Sequence, residues 1–386
     1  MRWFIENFGI LRKYKANMVG FYLCFYCLCI PAASWALEPP YPPSPVISDV
    51  VWDFSSYRRA AFHSDNHPVT WAHDGNQYTA WGDGLGFRPS SAKKSIGVSR
   101  VMGSSAASAT FTDVWYGDNA HINGSLSLKS YGILAVGGKL AMFAVQDNSL
   151  PGNVHLLESS DLGSTWKKSA FWSSSERIGT PSPLQFGKNY AGARDDFVYV
   201  YGPDASGNWN NTYGILLGRV HRNQIGVKSA YQWFSGTASN PQWVSGIQNA
   251  KAVFTDANGV GVASVSYNAG LGRYLLTSWH ASNPTAITGA GVTGRWGIFD
   301  APEPWGPWTT VAYYDKNWGI GNNETFFYNF SNKWLSADGK DFTLVFTGVG
   351  QFDAWNTIKG RFVVSDTTSQ DFDPPQSPSG LALQQL

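Results

Sequence analysis

The stretch His63–Phe87 reads HSDNHPVTWAHDGNQYTAWGDGLGF and predicts a β-hairpin. Apolar and polar residues alternate on both sides of Asp74-Gly75, and an Asp-Gly pair between alternating runs supplies the positive φ angles that a tight turn needs. An aspartate lies near each end of the hairpin, at Asp65 and at Asp83. The prediction of the fold therefore depends on whether the rest of the chain repeats this hairpin.

Four further hairpins with the same pattern follow along the chain. Their turns are expected near residues 137, 195, 270 and 338, so that successive turns lie about 58 to 75 residues apart. This spacing exceeds the repeats of about 40 to 45 residues in seven- and eight-bladed arrays, and it fits five four-stranded blades with long loops. We predict an all-β fold, a five-bladed β-propeller, with a sandwich or a barrel as the alternatives.

Composition supports strands and argues against one class of partner. The chain has 18 Trp, 18 Tyr, 23 Phe and 41 Gly, with only 14% charged residues, which suits short strands joined by glycine turns. The formal net charge is +1, so the chain lacks the basic field that nucleic-acid-binding proteins use. We expect no nucleic-acid partner.

The segment Ser159–Trp166 reads SSDLGSTW and matches the Asp-box pattern S-x-D-x-G-x-T-W. In that pattern the aspartate and serine bond the backbone of a turn, and the tryptophan fills the space between strands. We interpret this segment as a folding device. The segment SADGKDF, at residues 336–342, is a weaker version of the same pattern.

Residues 1–36 are predicted to be a signal peptide. Basic residues precede an apolar run from Met18 to Pro31, and Ser34-Trp35-Ala36 has the small-x-small pattern of a cleavage site. The run is shorter than the roughly 20 residues of a membrane span. We expect a secreted or periplasmic protein with no stable membrane span after cleavage.

The remaining boundaries follow from composition. Residues 37–46 form a proline-rich lead-in without regular pairing, residues 47–366 form the propeller, and residues 367–386 form a C-terminal tail. All three cysteines lie within residues 1–36, so no disulfide is expected after cleavage.

The first strand of each propeller blade lines a central channel, so polar residues on those strands converge. On this basis we predict a site from the following residues: Asp65, Asn66, His67, Lys129, Tyr190, Arg194 and Glu324. Paired carboxylates such as Asp65 and Glu324 are what glycoside hydrolysis requires. Each also has a simpler interpretation, as a turn or loop residue.

Three other residue types extend the predicted site. Lys129 is a charge within an apolar run, and it needs a partner such as Asp65 or Asp118. Asp83 lies between glycines, as a rim residue or a simple turn residue. Trp81 and Trp305 are candidate platforms for sugar rings, although most propeller tryptophans pack between blades.

We expect no metal and no cofactor. The histidine spacings match no zinc motif, and the sequence lacks an EF-hand loop, a nucleophile elbow and a dinucleotide fingerprint. We expect a monomer with a polysaccharide or oligosaccharide substrate.

Four segments together resemble a known family of exported bacterial propellers, known as a domain of unknown function. They are SDNHPVTWAHDGNQYTAWGDGLGF (64–87), YNAGLGRYLLTSW (267–279), GIFDAPEPWGPWTTVAYY (297–314) and KWLSADGKDFTLVFTG (333–348). Some relatives of that family are endo-acting D-arabinofuranases. The architecture is also similar to that of five-bladed arabinanases and β-xylosidases.

The resemblance implies roles for particular residues. Asp65 matches the first-blade acid that serves as base in the arabinanase-like enzymes. Lys129 and Arg194 stand on blades where those enzymes carry acids, which leaves Glu324, Asp83 and Asp118 as competing candidates for the catalytic acid.

Three functions remain open from sequence. The first is a secreted glycoside hydrolase that acts within a polysaccharide, with arabinofuranose polymers as the suggested substrate. The second is a polysaccharide lyase, in which Lys129 or Arg194 neutralises a uronate and Tyr190 or His67 removes the proton. The third is a non-catalytic sugar-binding propeller.

Overall fold

The computed structural model describes most of the chain from Leu37 onward. The described residues are 37–61, 63–88, 93–117, 128–146, 152–205, 212–280, 294–315, 318–320, 325–348 and 353–365. They contain no α-helix, and their strands form five antiparallel sheets, which are the five blades of a β-propeller. None of the helical turns in this part of the chain is long and apolar enough to cross a membrane.

Strands are numbered along the chain, and β1 (Ile47–Ala60) belongs to the last blade. Blade one contains β2 (Asp65–Trp71), β3 (Gln77–Gly84), β4 (Lys94–Met102) and β5 (Thr110–Trp115). Blade two contains β6 (Leu128–Val136), β7 (Lys139–Gln146), β8 (Val154–Ser159) and β9 (Lys167–Trp172).

Blade three has six strands: β10 (Ser182–Pro183), β11 (Phe197–Pro203), β12 (Thr212–His221), β13 (Gln232–Phe234), β14 (Trp243–Val244) and β15 (Ala252–Val260). Blade four contains β16 (Ala263–Asn268), β17 (Arg273–Trp279), β18 (Arg295–Ala301) and β19 (Thr309–Asp315). Blade five contains β20 (Thr325–Phe330), β21 (Asp341–Gly348) and β22 (Trp355–Val364), and β1 pairs with β22 to close the ring.

The turns that join the first two strands of the blades lie together on one face, which we call the turn face. The Gly138 amide donates a hydrogen bond of 3.1 Å to Asn189 Oδ1, and Asn268 Nδ2 donates one of 2.7 Å to the Gly339 carbonyl. Because strand directions alternate within a blade, the inner strands β2, β6 and β20 begin at the opposite face. The turns predicted at residues 74, 137, 270 and 338 are confirmed.

Blade three differs from its prediction. Its inner strand is the two-residue β10, and residues 188–190 form a 3₁₀ turn on the way to β11. Tyr190 and Arg194 therefore do not lie on an inner strand, and their predicted placement there is wrong. The prediction failed because Asp195-Asp196 was taken as the hairpin turn, whereas it immediately precedes β11.

The lead-in is paired more than its proline content suggested. Pro43 forms a parallel bridge to Thr310 of β19, and the Ser44 amide donates a 2.8 Å hydrogen bond to the Thr310 carbonyl. The hydroxyl of Tyr41 accepts a 2.8 Å hydrogen bond from the Thr255 amide of β15. Proline removes its own donor, but its neighbours still supply amide groups for edge pairing.

Aromatic side chains fill the spaces between blades. Trp296 of blade four stacks on Tyr328 of blade five at 3.9 Å and 9°, and Trp52 of β1 lies 5.1 Å from Trp318. Such contacts stabilise beyond the burial of their area. They account for much of the high tryptophan content.

The Asp box between β8 and β9 has the predicted structural role. Asp161 accepts hydrogen bonds of 2.9 Å from the Thr165 amide and 2.6 Å from its hydroxyl. Trp166 is buried, donates 2.9 Å to the Gly163 carbonyl and contacts Trp115 of blade one.

Candidate active site

Asp65 is the first residue of β2 and lies at the face opposite the turns. It pairs with Gly82 of β3. A Cβ atom placed on Gly82 would lie 2.6 Å from Asp65 Oδ1, 3.2 Å from Asn66 Nδ2 and 3.3 Å from Lys129 Cδ. The absence of a side chain at Gly82 therefore leaves the space into which these three polar side chains converge.

The inner strands of three successive blades are bulged at this end. Register shifts occur between Asn66 and Val69 in β2, between Ser130 and Gly132 in β6, and between Phe326 and Asn329 in β20. Asn66, His67 and Phe327 have positive φ angles of 74°, 49° and 53°. Bulges and strained backbone cluster at functional sites, where they direct side chains away from the regular ladder.

These bulges leave polar atoms without partners. Among the described residues, buried side-chain atoms with no hydrogen-bond partner include Asp65 Oδ1, Asn66 Nδ2, Ser130 Oγ and Thr347 Oγ1. Buried polar groups in native proteins are normally paired. A ligand that both donates and accepts hydrogen bonds would satisfy such a set, as the hydroxyl groups of a sugar do.

A second acid, Asp353, lies beside Asp65 and was not predicted from sequence. It stands two residues before β22, has a φ angle of 34°, and its carbonyl accepts a 3.0 Å hydrogen bond from the Ser64 amide. That bond joins the loop of blade five to the residue next to Asp65. No motif surrounds Asp353 in the sequence, and its partner lies almost 300 positions earlier, so only the fold reveals it.

The two carboxyl groups hold protons more tightly than usual. Burial and the nearby Asp353 raise the pKa of Asp65 to about 7, although Lys129 opposes the shift. Burial also raises the pKa of Asp353, with Lys93 opposing and Asp83 adding to the shift. The charge of Asp353 therefore contributes to the raised pKa of Asp65.

Asp65, Asp83 and Asp353 lie on one face of the propeller, which we call the carboxylate face. One buried cation, Lys129, lies beside them. Lys129 is 4% exposed and forms an ion pair with Asp83, whose side chain is 45% exposed. The sequence predicted a partner for Lys129 but favoured Asp65 or Asp118. Asp83 takes that place because its φ angle of 44° turns it off the ladder of β3.

His67 has a structural position. It is fully buried, with its ring 5.6 Å from Trp355, and its Nε2 donates a 3.1 Å hydrogen bond to the Ser64 carbonyl. Burial lowers the pKa of His67 to about 3, so the ring is neutral. It fixes Ser64, which in turn holds Asp353.

Trp81 is fully buried, and the structure contradicts its predicted role as a sugar platform. Its Nε1 donates a 2.8 Å hydrogen bond to Ser99 Oγ, and Ser99 donates 2.6 Å to Asp113. Asp113 also accepts from the Phe87 amide at 3.1 Å. This network anchors the loop that follows Asp83.

Trp305 and Arg194 lie away from the carboxylates, at the turn face. Trp305 stacks on Phe234 of blade three at 6.4 Å and 13°, so it is not a platform beside Asp65. Arg194 pairs with Glu303 at 3.4 Å and donates a hydrogen bond to the Tyr274 hydroxyl. Arg194 and Lys129 are thus at opposite faces, so the two alternatives given for the cation of a lyase do not belong to one site.

Two predicted residues, Glu324 and Asp118, lie outside the described residues. Within the described ranges, no group of three or more His, Cys, Asp or Glu side chains could hold a metal ion.

Comparisons with solved structures return similar folds at low sequence identity. A candidate hydrolase from Bacteroides ovatus has a TM-score of 0.51 at 11% identity, covering 78% of this chain and 86% of that chain. A GH43_1 enzyme from Xanthomonas citri has a TM-score of 0.48 at 13% identity, covering 81% of this chain and 94% of that chain. The catalytic domain of a GH62 α-L-arabinofuranosidase from Coprinopsis cinerea has a TM-score of 0.46 at 11% identity, covering 83% and 98%.

At 11% identity, the similarity to the Bacteroides ovatus protein is one of fold. No curated protein sequence matches the chain. The resemblance to a family known as a domain of unknown function is confirmed by a family model. On this five-bladed propeller, residues 140–317 match the family described as Domain of unknown function (DUF4185).

Proposed function

We propose that the protein is a glycoside hydrolase in which Asp65 and Asp353 are the two catalytic carboxyl groups. One observation carries the proposal: the Ser64 amide donates a hydrogen bond to the Asp353 carbonyl, so that a second acid lies next to Asp65, whose Oδ1 is buried and has no partner. A pair of carboxyl groups is the chemical requirement for this reaction.

Glycoside hydrolysis requires that one of the two carboxyl groups is protonated and the other ionised. The protonated carboxyl group gives its proton to the leaving glycosidic oxygen while the ionised one removes a proton from the attacking water, whose hydroxyl group bonds to the anomeric carbon. Both residues are half-buried, and Asp65 Oδ1 is a buried atom without a hydrogen-bond partner. A carboxyl group whose pKa is about 7, as for Asp65, is well matched to proton transfer near neutral pH.

We propose a polysaccharide substrate that is cut internally, with arabinofuranose polymers suggested by the resemblance of the four segments. We also propose export after cleavage of residues 1–36, which N-terminal sequencing of the protein from a culture medium or periplasm would test.

The test is an incubation of the purified protein with plant, algal and mycobacterial polysaccharides. We expect new reducing ends without the ultraviolet absorbance of unsaturated uronates. Asp65→Asn and Asp353→Asn should each lose activity by about 10²- to 10⁴-fold. The control Asp196→Asn, exposed at the turn face, should remain active.

Other outcomes of this incubation would assign a different function. Absorbance from unsaturated uronates would establish the lyase instead. Binding without chain shortening would establish a sugar-binding protein. Full activity of Asp353→Asn would remove that residue from the mechanism.

A further inference from the structure

The blades that carry the two carboxyl groups each contribute a buried polar atom without a hydrogen-bond partner. Asn66 follows Asp65 on β2 and is 3% exposed, and its Nδ2 has no partner among the described residues. Thr347, near the end of β21 in blade five, is fully buried, and its Oγ1 has none either. Each such atom costs folding free energy until a partner is supplied, so this face is built at the expense of stability.

The side chain of Thr347 faces blade one, on the same end of blade five as Asp353. Thr347 lies opposite Trp355 of β22, which is two residues after Asp353. Val345 points to the same side of β21 as Thr347, since side chains alternate along a strand. Val345 packs in one cluster with Trp355 and with Val69 of β2. The Thr347 hydroxyl is therefore directed toward the strand that carries Asp65.

Asn356 fixes the backbone on both sides of this corner. Its Nδ2 donates hydrogen bonds of 2.7 Å to the Gly348 carbonyl and 3.0 Å to the Ala354 carbonyl. Gly348 follows Thr347, and Ala354 follows Asp353. These bonds hold the end of β21 against the start of β22, so the hydroxyl and the carboxyl group come from a backbone of defined geometry.

On blade one, an unbonded donor lies next to an unbonded acceptor. A Cβ atom placed on Gly82 would lie 2.6 Å from Asp65 Oδ1 and 3.2 Å from Asn66 Nδ2, so both atoms border one small space. Neither has a partner. A single hydroxyl group can accept a hydrogen bond from the amide and donate one to the carboxylate.

Resting on the hydrolase function proposed above, we propose that Asn66 and Thr347 are substrate-binding residues for two hydroxyl groups of the sugar residue that Asp65 and Asp353 act on. Asn66 Nδ2 donates to one hydroxyl, which in turn donates to Asp65 Oδ1. Thr347 Oγ1 bonds a second hydroxyl from the side of blade five. Bound sugar thus supplies the hydrogen bonds that the folded protein lacks.

The charges of this face indicate that the bound sugar residue is uncharged. The buried cations among the described residues are Lys129 and Arg273. They form ion pairs with Asp83 and Asp300. In the described part of the chain, no buried cation is left over for the carboxylate of a uronate, and burial of that carboxylate without a partner would be costly.

The first test combines thermal unfolding with calorimetric titration of an arabino-oligosaccharide, using Asp65→Asn as the parent protein so that the sugar is not consumed. Thr347→Val keeps the shape of the side chain and removes the unpartnered hydroxyl, so it should melt at or above the parent. Its affinity for the oligosaccharide should fall about tenfold, which corresponds to one net hydrogen bond.

Thr70→Val is the matched control, a buried threonine on β2 whose hydroxyl is already used. Its Oγ1 accepts a 2.8 Å hydrogen bond from the Ala135 amide. Loss of that acceptor leaves a buried amide unpaired, so Thr70→Val should melt below the parent and bind the oligosaccharide with unchanged affinity.

A second variant tests the donor on blade one. Asn66→Gly removes the amide, and glycine accepts the φ angle of 74° at this position without strain. Its affinity for the arabino-oligosaccharide should also fall about tenfold. In the parent protein, an oligogalacturonide should bind more weakly than the arabino-oligosaccharide, and tighter binding of the oligogalacturonide would overturn the inference of an uncharged sugar.

The remaining outcomes separate the binding roles from the hydrolase function. The binding roles are wrong if Thr347→Val melts as far below the parent as Thr70→Val does, or if Thr347→Val and Asn66→Gly both bind the oligosaccharide like the parent. If the affinities fall as expected but Asp65→Asn still releases reducing ends from the polysaccharide, the hydrolase assignment fails while the binding roles of Asn66 and Thr347 stand.

Discussion

Aspartates at the two faces of this propeller have opposite environments. At the turn face, hydrogen bonds from the Ser336 hydroxyl and the Lys340 amide lower the pKa of Asp338. In the Asp box, burial opposes the shift, but hydrogen bonds from Thr165 and Ser159 still lower the pKa of Asp161. At the carboxylate face, burial raises the pKa of Asp65 to about 7.

The two environments suit different roles, since one favours stability of the fold and the other favours reactivity. Asp161 and Asp338 each accept two or more hydrogen bonds from their own turns, so they stabilise the blades as anions. Asp65 is held where its anion is poorly solvated and one oxygen has no partner. The blades thus place one residue type under conditions that favour structure at one face and reactivity at the other.

The largest expected effect is on the pH dependence of stability at the carboxylate face. Since the folded pKa of Asp65 is raised above 3.8, folding binds a proton, and the wild type should lose stability as pH rises from about 4 to about 7. Asp65→Asn should remove much of this loss and melt above the wild type at pH 8. Thermal unfolding from pH 4 to 8 measures both, and parallel curves for the two proteins would contradict the buried carboxyl group.

A second substitution, Gly82→Ala, tests the geometry of the carboxylate face. Gly82→Ala places a methyl group 2.6 Å from Asp65 Oδ1, so the carboxyl group must move. Displacement of a reacting group by about 1 Å costs on the order of 10²-fold in rate. We expect that loss in kcat/KM with the circular dichroism spectrum unchanged, and wild-type activity would show that Asp65 has no fixed position to lose.

Loss of packing between blades should lower the stability and leave the activity unchanged. Trp305→Ala removes a ring that stacks on Phe234 and contacts Trp243 at 6.1 Å. We expect a loss of about 2 to 3 kcal/mol in the free energy of unfolding, since the ring is only partly buried. Denaturant titration gives this value, and KM for the polysaccharide should not change. A raised KM would return Trp305 to the sugar-binding site.

The smallest effect is expected at the Asp box. Asp161→Ala removes the acceptor of both Thr165 hydrogen bonds and should cost about 1 to 2 kcal/mol. Because the pKa of Asp161 is lowered, its contribution should be present above pH 4 and be lost as pH falls below it. Equal stability of variant and wild type at pH 7, or reduced activity with stability intact, would contradict a purely structural role.

Local patterns predicted the fold well because hairpins are local. The turns at Gly137-Gly138 and Asp338-Gly339 and the hydrogen bonds of the Asp box all depend on residues a few positions apart. The inner strand of blade three escaped prediction because β10 has only two residues and no alternation.

The site was predicted only in part, for a different reason. Asp65 and Lys129 stand out in the sequence, as an acid beside a hairpin and as a charge in an apolar run. Asp353 does not, because only ring closure brings it beside Asp65. Trp81 was misassigned because composition does not distinguish a packed indole from an exposed one.

The most direct test of the contrast between the faces is a ¹³C NMR titration of the wild-type aspartates. The account predicts a carboxyl midpoint near pH 7 for Asp65, with Asp161 and Asp338 titrating below the ordinary value of 3.8. An Asp65 midpoint at or below 4 would contradict it, since burial and the nearby Asp353 would then have no effect on that carboxyl group.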